Sequence, residues 1–355
     1  MAQIMDVSLN KFIEDANNRQ LFVWGAGIRA RRFIEECDIL NNLVAIVDSN
    51  PKLQGTMFET DGKSISIISP DEFFDYVKRV GTKNVTLLIT AVLGSKDILD
   101  RLSKINLLKS LEVYLGELLL SYYEPQEIIH TAGPQIIPKK IHYCWFGKNE
   151  MPVKLQKCVE SWYEKCPDYE IVRWDESNYD IRKNRYMREA YDCQKWGFVP
   201  DYARLDIIYN EGGIYLDTDV ELINNLDIFL SDKAFFGFAG EFCINAGLGF
   251  GAVPRHEFIK NLIDVYENAS FYEPNGELNL KPCTHYQHPV FKGRGFSLKN
   301  EYQKIDGIVL YPSEVFSPLG IMGGRKNFTN NTVSIHYGAL SWLSEEERKN
   351  CDIYR

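Results

Sequence analysis

The sequence predicts two α/β domains in series, and three observations carry that expectation. Near the start, the apolar run Leu21-Phe22-Val23-Trp24 leads into Gly25-Ala26-Gly27 and then a helical pattern. Far downstream, a second apolar run, Ile214-Tyr215-Leu216, ends in Asp217-Thr218-Asp219. Between them, Glu124 to Gln135 carries Pro125, Gly133 and Pro134 and reads as a linker. Strand-type runs alternating with helical patterns imply layered α/β units. A chain of 355 residues is long enough to bury two cores. We expect domains at residues 1–130 and 136–355.

Composition narrows the function. The net charge of -9 disfavours a general nucleic-acid binder, because phosphate backbones attract basic faces. An acidic protein that takes an anionic ligand needs local Arg or Lys, or a metal. The eight cysteines, at 37, 144, 158, 166, 193, 243, 283 and 351, form no C-x-x-C pair. That argues against a zinc site and for free thiols in a reducing compartment. The first residues, MAQIMDVSLNKFIEDANN, lack a basic stretch followed by an apolar one, so no leader is expected and the cytoplasm is the expected location. The most apolar long stretch, Ile105 to Tyr123, carries Lys109, Glu112 and Glu117, which disfavours a membrane span.

In the first domain, Leu21–Trp24 reads as a buried strand and the segment through Glu36 as a helix. The pattern G-x-G-x-x-A lies between them, and Leu43 to Val47 is a second strand ending in Asp48. A glycine turn between strand and helix, with an acidic residue about 20 positions on, is the arrangement of a Rossmann-like unit. The glycines suit either a phosphate cradle at a helix N-terminus or a tight turn with no ligand. Ser69 caps a helix beginning at Pro70, and Val85 to Thr90 is a further strand. Ending near residue 120, the unit falls short of six strands, which makes nicotinamide chemistry a poor reading.

In the second domain, Lys140 to Gly147 reads as a strand ending in Trp145-Phe146. Cys158 to Tyr163 is helical, Tyr169 to Trp174 a strand, and Tyr186 to Trp196 a helix. Phe235–Phe238, Asn245–Phe250 and Thr332–His336 read as strands, and His256–Glu267 as an amphipathic helix. The stretch Pro200–Glu221 organises the rest: a short helix opened by Asp201 and Arg204, a break at Asn210-Glu211-Gly212-Gly213, then the strand ending in two carboxylates. Side chains at i and i+2 of an extended segment point the same way. Asp217 and Asp219 can therefore converge, and two converging carboxylates repel unless a cation lies between them. Asp201 and Arg204, three apart, share a helix face, either as a surface ion pair or as a clamp for hydroxyl groups.

Together these segments resemble the family 32 glycosyltransferases, sugar transferases with a D-x-D motif, many of whose bacterial members serve capsule or surface-polysaccharide synthesis. The segments are IPKKIHYCWFG at 137–147, SWYEKCPDYEIVRWDE at 161–176, DYARLDIIYNEGGIYLDTDVE at 201–221 and SIHYGALSW at 334–342. The likeness extends over nearly all of 137–342 and over none of 1–130. It implies a GT-A fold, a nucleotide-diphosphate sugar donor (UDP-linked by the likeness), Mn or Mg, a saccharide or lipid-linked saccharide acceptor, and retention at the anomeric carbon. Asp201 and Arg204 look like the grip on donor-sugar hydroxyls. Asp217 looks like the contact to ribose and metal-bound water, Asp219 like the direct metal ligand, and Trp145 like the residue stacked on the base. Beside them, His336 suits a metal ligand or diphosphate donor, Trp342 a closing indole N–H, and Asn245 either a sugar contact or a turn. His142 reads as structural. Pro200 stands where relatives often have serine. The segment Asp48-Ser49-Asn50-Pro51, with Gly55 after it, is similar to units fused to sugar-modifying enzymes. The competing class is a nucleotide- or NAD-binding regulator with a degenerate sugar-binding domain. A transferase acting on a protein acceptor is a further alternative.

Overall fold

The computed structural model of the chain describes residues 3–60, 62–91, 94–319 and 326–338. It is mixed α/β and divides into two compact units, Met1–Glu124 and Pro125–Arg355.

The first unit is built on strands β1 (Gln3–Met5), β2 (Gln20–Trp24), β3 (Leu43–Val47), β4 (Met57–Thr60), β5 (Lys63–Ile68), β6 (Val85–Ile89) and β7 (Glu112–Leu115). Their order is β1-β7-β6-β2-β3-β5-β4, with only β4 antiparallel to its neighbour. Helices α1 (Leu9–Asn18), α2 (Ile28–Glu36), α3 (Pro70–Val80), α4 (Ser95–Ser103) and α5 (Gly116–Ser121) connect them. β6 is buried at all five positions, as an apolar run inside a parallel sheet requires. Ser69 caps α3 through a reciprocal pair with Glu72, each side chain bonding the other's backbone N–H. The sheet is wider than the sequence suggests, because β1 is only three residues long and β5 carries exposed positions that mask its strand pattern.

The second unit contains β8 (Lys140–Cys144), β9 (Glu170–Trp174), β10 (Gly213–Tyr215), β11 (Val220–Leu222), β12 (Ala234–Gly240), β13 (Cys243–Ile244), β14 (Phe250–Ala252), β15 (Gln303–Ile305), β16 (Ile308–Tyr311) and β17 (Ser334–His336). Its main sheet runs β15-β16-β12-β14-β10-β8-β9; β13 pairs with β12, and β11 with β17. The helices are α6 (Val153–Lys165), α7 (Arg185–Asp192), α8 (Pro200–Glu211), α9 (Glu257–Asp264), α10 (Cys283–Gly293) and the single turn α11 (Ser313–Phe316). Ile141, Trp162, Ile214, Leu216, Phe235 and Phe316 anchor its core.

Three expectations are corrected here. The stretch expected as a linker ending at Gln135 is a strap on the second unit. Gln126 bonds the backbone of Asn300 and Tyr302 (3.0 and 2.8 Å), the Tyr302 hydroxyl donates to Ile129 O (2.7 Å), Thr131 bonds buried Asp232, and Ile137 N donates to Leu230 O (3.0 Å). Proline and glycine mark irregular backbone, but not whether that backbone docks. The two compact units are Met1–Glu124 and Pro125–Arg355, beside the expected domains at 1–130 and 136–355. Asn245–Phe250 is a turn leading into β14, not a strand, because the Asn245 side chain accepts from Gly247 N (2.8 Å) and bends the chain. The helix expected to reach Trp196 stops at Asp192.

Candidate functional site

The site grows from α8. Its apolar residues Tyr202, Ala203, Leu205, Ile207 and Ile208 are buried, and so are its charges Asp201, Arg204 and Asp206. A helix buried all round must satisfy its charges internally. Asp206 does so with Lys183 (2.5 Å), the Tyr179 hydroxyl (2.8 Å) and Asn210 (3.0 Å). The helix ends at Gly212-Gly213, both at positive φ. A Cβ at Gly212 would lie 2.7 Å from Pro254, and one at Gly213 2.9 Å from Lys140 O. That glycine pair lets the chain turn directly into β10.

β10 lies parallel to β8 and antiparallel to β14. Ile214 and Leu216 point into the core, while Tyr215 and Asp217 point to the α8 face. Arg204 stands there, its guanidinium 5.3 Å from the Tyr215 ring centroid. Arg204 donates to Asp201 Oδ1 at 2.7 Å and to Pro200 O at 3.1 Å, and reaches Asp217 Oδ2 at 3.5 Å. The Tyr215 hydroxyl donates to Asp217 Oδ1 at 3.1 Å. Asp201 and Arg204 are each only 3% exposed, so they form a buried pair and the surface ion-pair reading falls.

Past Asp217 the chain turns, with Val220 N bonding Asp217 O, and enters β11. β17 pairs with β11 so that His336 faces Val220, and Tyr337 N donates to Asp219 O (3.0 Å). His336 Nε2 lies 3.4 Å from Asp219 Oδ1. Asp217, Asp219 and His336 each offer one ligand atom, all within 4.8 Å of one another. Two carboxylates and an imidazole are a donor set that suits a divalent cation. The turn at 245–248 passes close against them: a Cβ on Gly247 would collide with the Asp217 carboxylate. Gly247 O in turn accepts from Asp217 N at 3.0 Å.

Electrostatics fit this crowding. Burial pushes the Asp201 carboxyl up to about 7, against the pull of Arg204. Burial also raises Asp217, opposed by Arg204 and reinforced by Asp219. Burial disfavours the Arg204 charge, yet Asp217, Tyr215 and Asp201 outweigh it and hold the guanidinium charged. Burial likewise disfavours the His336 cation, but Asp219 and then Asp217 raise it. Such mutual tuning of charges is what active sites show.

The structure therefore brings together Asp201, Arg204, Asp217, Asp219 and His336. Asn245 joins them through its turn, its side-chain oxygen spent on Gly247 N. Trp145 leaves the same sheet edge, three residues past His142, which pairs with Tyr215. Its indole N–H donates to Asn149 O (2.7 Å) and its ring packs partly against the core. No contact joins it to the carboxylates among the described residues. Trp342 lies outside the described residues. His142 is fully buried: Trp174 Nε1 donates to its Nδ1 (3.1 Å), and its Nε2 lies 3.0 Å from Gly212 O. Sequence reasoning missed Tyr215 and Gly247 as site residues. The signal for Tyr215 was its i, i+2 relation to Asp217, and the Asn-Ala-Gly-Leu-Gly run held one for Gly247.

In the first unit, Ala26 N donates to Asp48 Oδ2 (2.8 Å) and Asn50 N to Asp48 Oδ1 (2.8 Å). That glycine-loop donor already holds a carboxylate.

Comparison with known proteins bears on the second unit. Residues 152–236 match the family model described as glycosyltransferase sugar-binding region containing DXD motif. Inositol phosphoceramide mannosyltransferase 3 of Schizosaccharomyces pombe is 37% identical over 106 residues, covering 29% of this chain and 30% of that protein. Subversion of eukaryotic traffic protein A of Legionella pneumophila is 32% identical over 122 residues, covering 26% of this chain and 19% of that protein. The chain thus spans less than a third of the length of these two relatives. Among solved structures, a glycosyltransferase involved in the glycosylation of the major capsid of PBCV-1 aligns over 60% of this chain and 98% of its own, at 14% identity and a TM-score of 0.35.

Proposed function

We propose that the chain is a metal-dependent, retaining glycosyltransferase that moves a sugar from a nucleotide diphosphate to a hydroxyl of a saccharide acceptor. In this reading the second unit is the GT-A catalytic domain and the first a Rossmann-like accessory domain. One observation carries the proposal: Asp217, Asp219 and His336 gather within 4.8 Å beside the buried Asp201–Arg204 pair, in a chain whose residues 152–236 match a sugar-binding glycosyltransferase region.

Asp219, Asp217 and His336 would hold the divalent ion, Mn or Mg. When bound, it supplies Lewis-acid neutralisation of the charge that grows on the departing diphosphate. The remaining work falls to side chains. Asp201 accepts from donor-sugar hydroxyls and Arg204 donates to them, fixing the anomeric carbon for attack. The acceptor oxygen bonds to that carbon as its bond to the diphosphate oxygen breaks, on the same face. The leaving phosphate takes the acceptor's proton. Trp145 stacks on the base, UDP being the preferred donor nucleotide, and Asn245 and Trp342 bound the sugar.

The acceptor is a capsular or surface saccharide, free or lipid-linked. The fission-yeast relative, an inositol phosphoceramide mannosyltransferase, favours a second reading, transfer to an inositol phosphoceramide. Among the described residues no helix is long and apolar enough to cross a membrane, so a lipid-borne acceptor would be met at a membrane surface.

The test is thermal-shift screening of UDP-glucose, UDP-galactose, UDP-N-acetylglucosamine and GDP-mannose, each with and without Mn. Donor hydrolysis is then followed for any that binds. The expected result is a metal-dependent rise in melting temperature and slow hydrolysis for one of them. Binding that ignores Mn, or NAD as the only stabilising ligand, would overturn the proposal in favour of a regulator.

A further inference from the structure

Between the loop that follows β8 and the first turns of α6 lies a groove of about 710 Å3. Ligand clefts run from roughly 300 to 1,000 Å3. Tyr143 on β8 and Arg173 on β9, side by side in register, line it from the sheet, and Lys148, Asn149, Glu150 and Glu160 stand around it. The groove adjoins the carboxylate site through α6. The Tyr143 ring packs edge to face on Trp162, with centroids 5.4 Å apart. Trp162 Nε1 donates to the carbonyl of Val220 (2.8 Å), the residue after Asp219, and Ser161 Oγ accepts from Leu222 N (2.9 Å).

The loop is held in an uncommon shape. Gly147 (φ 95°) and Lys148 (φ 60°) are both left-handed, and a lysine there is strained. Gly147 N donates to Glu176 Oε1 (2.7 Å), and a Cβ on Gly147 would lie 2.9 Å from the Trp196 ring. Two further side chains brace the loop: the Trp145 indole donates to Asn149 O (2.7 Å), and Gln156 Nε2 to Met151 O (2.6 Å). The side chains of Lys148, Asn149 and Glu150 take no part in that bracing. Like the Glu160 carboxylate, they make no hydrogen bond among the described residues. Tyr143 is only 8% exposed, and its hydroxyl also lacks a partner among the described residues. Arg173 uses Nε for Asp175 (3.1 Å), which leaves its terminal nitrogens for the groove.

The charges around the groove balance, Lys148 and Arg173 against Glu150 and Glu160. A diphosphate there would meet two carboxylates, and an acyl chain would meet four charges. A neutral ring rich in hydroxyls uses donors and acceptors alike, and a loop braced beforehand loses little freedom on binding it. We propose that this groove is a binding site for a neutral, hydroxyl-rich ring of the acceptor, contacted by the Tyr143 hydroxyl, Lys148 and Glu160. The inference rests on the reading of the chain as a glycosyltransferase and says where its acceptor is held. A saccharide and an inositol headgroup share that ring chemistry.

The test uses the full chain with Mn and the sugar nucleotide that the screen above selects. Methyl α-glucoside, methyl α-galactoside, methyl α-mannoside and myo-inositol are offered as acceptors, and their binding to the protein alone is read by ligand-observed NMR. The variants are Tyr143→Phe, Lys148→Met and Glu160→Gln. The wild type is expected to bind and glycosylate at least one of these compounds. Each variant should raise the acceptor KM by about three- to tenfold, with a smaller change in kcat and the melting temperature held. A structural role would instead lower melting temperature and kcat together, and that result would overturn the inference. So would a wild type that binds none of the compounds, or binding unaltered in all three variants. Displacement of the bound compound by UDP or GDP would give the groove to the nucleotide and overturn it too. Glycosides against myo-inositol separate a saccharide acceptor from an inositol headgroup. If the wild type hydrolyses donor but binds no acceptor, only this inference fails. If acceptors bind and the variants lose them while no donor is hydrolysed, the glycosyltransferase reading fails and the groove stands.

Discussion

Two central strands, β2 in the first unit and β10 in the second, end in chemically marked turns, and they resolve them in opposite ways. After β2, Ala26 N donates to the carboxylate of Asp48, which stands at the end of the neighbouring β3 and also accepts from Asn50 N, so the acid is met by backbone donors. After β10, Asp217 and Asp219 are drawn together with His336, and Asp217 is raised by burial and by its neighbour. The first turn is self-sufficient; the second, in the function proposed above, is completed by a cation. An acidic residue at a strand end thus says little until its partners are known: backbone donors make it a brace, and a second carboxylate makes it a ligand.

The largest effect that would sharpen this contrast is that of Asp219→Ala. Donor hydrolysis with Mn should fall by about 100- to 1000-fold, the scale seen when transition-state charge loses its support. The melting temperature without metal should hold or rise, since a like charge has been removed. A folded variant with near-normal turnover would break the comparison.

A second difference lies in pH response. All six histidines belong to the second unit. His142 is held neutral, lowered to about 4 by burial, with Nδ1 accepting from Trp174. A histidine lowered in the folded state contributes stability that is complete above its unfolded pKa, about 6.5, and is lost as pH falls toward 4. Relative to His142→Gln, the wild type should lose about 3 kcal/mol across that window. Asp201 and Glu241, pushed up by burial to about 7, act in the opposite direction. The variant comparison isolates the histidine, and urea unfolding at pH 6.5 and 4 measures it. Equal slopes in both proteins would remove His142 as the cause.

Trp145→Ala should weaken binding of the free nucleotide diphosphate by ten- to a hundredfold, about 1–3 kcal/mol of stacking, read by calorimetry. Unchanged affinity would reduce the indole to a packing residue capping the turn to Asn149. The smallest effect belongs to the first unit. Asp48→Ala removes two backbone contacts and should cost about 1–2 kcal/mol of that unit's stability while leaving donor hydrolysis intact. A loss of hydrolysis there would tie the first turn to the reaction and erase the contrast.

Local spacing alone determined a good deal of this protein. The i, i+3 relation joined Asp201 to Arg204, and Gly212-Gly213 marked the break between α8 and β10; Asp217 and Asp219, expected to converge by strand alternation, instead converge through a turn past the end of β10, closed by Val220 N on Asp217 O. Ser69 announced its cap. These are short-range rules of backbone geometry, and they act before any packing. Only the tertiary structure decided the rest. His336 reaches Asp219 because β17 pairs with β11 across more than a hundred residues of chain. The apparent linker becomes a strap because Asn300, Tyr302 and Asp232 present partners to it. The Asp201–Arg204 pair is buried because α8 is enclosed by the rest of its unit. Burial and long-range pairing depend on what the rest of the chain brings to a residue, and no local pattern encodes that.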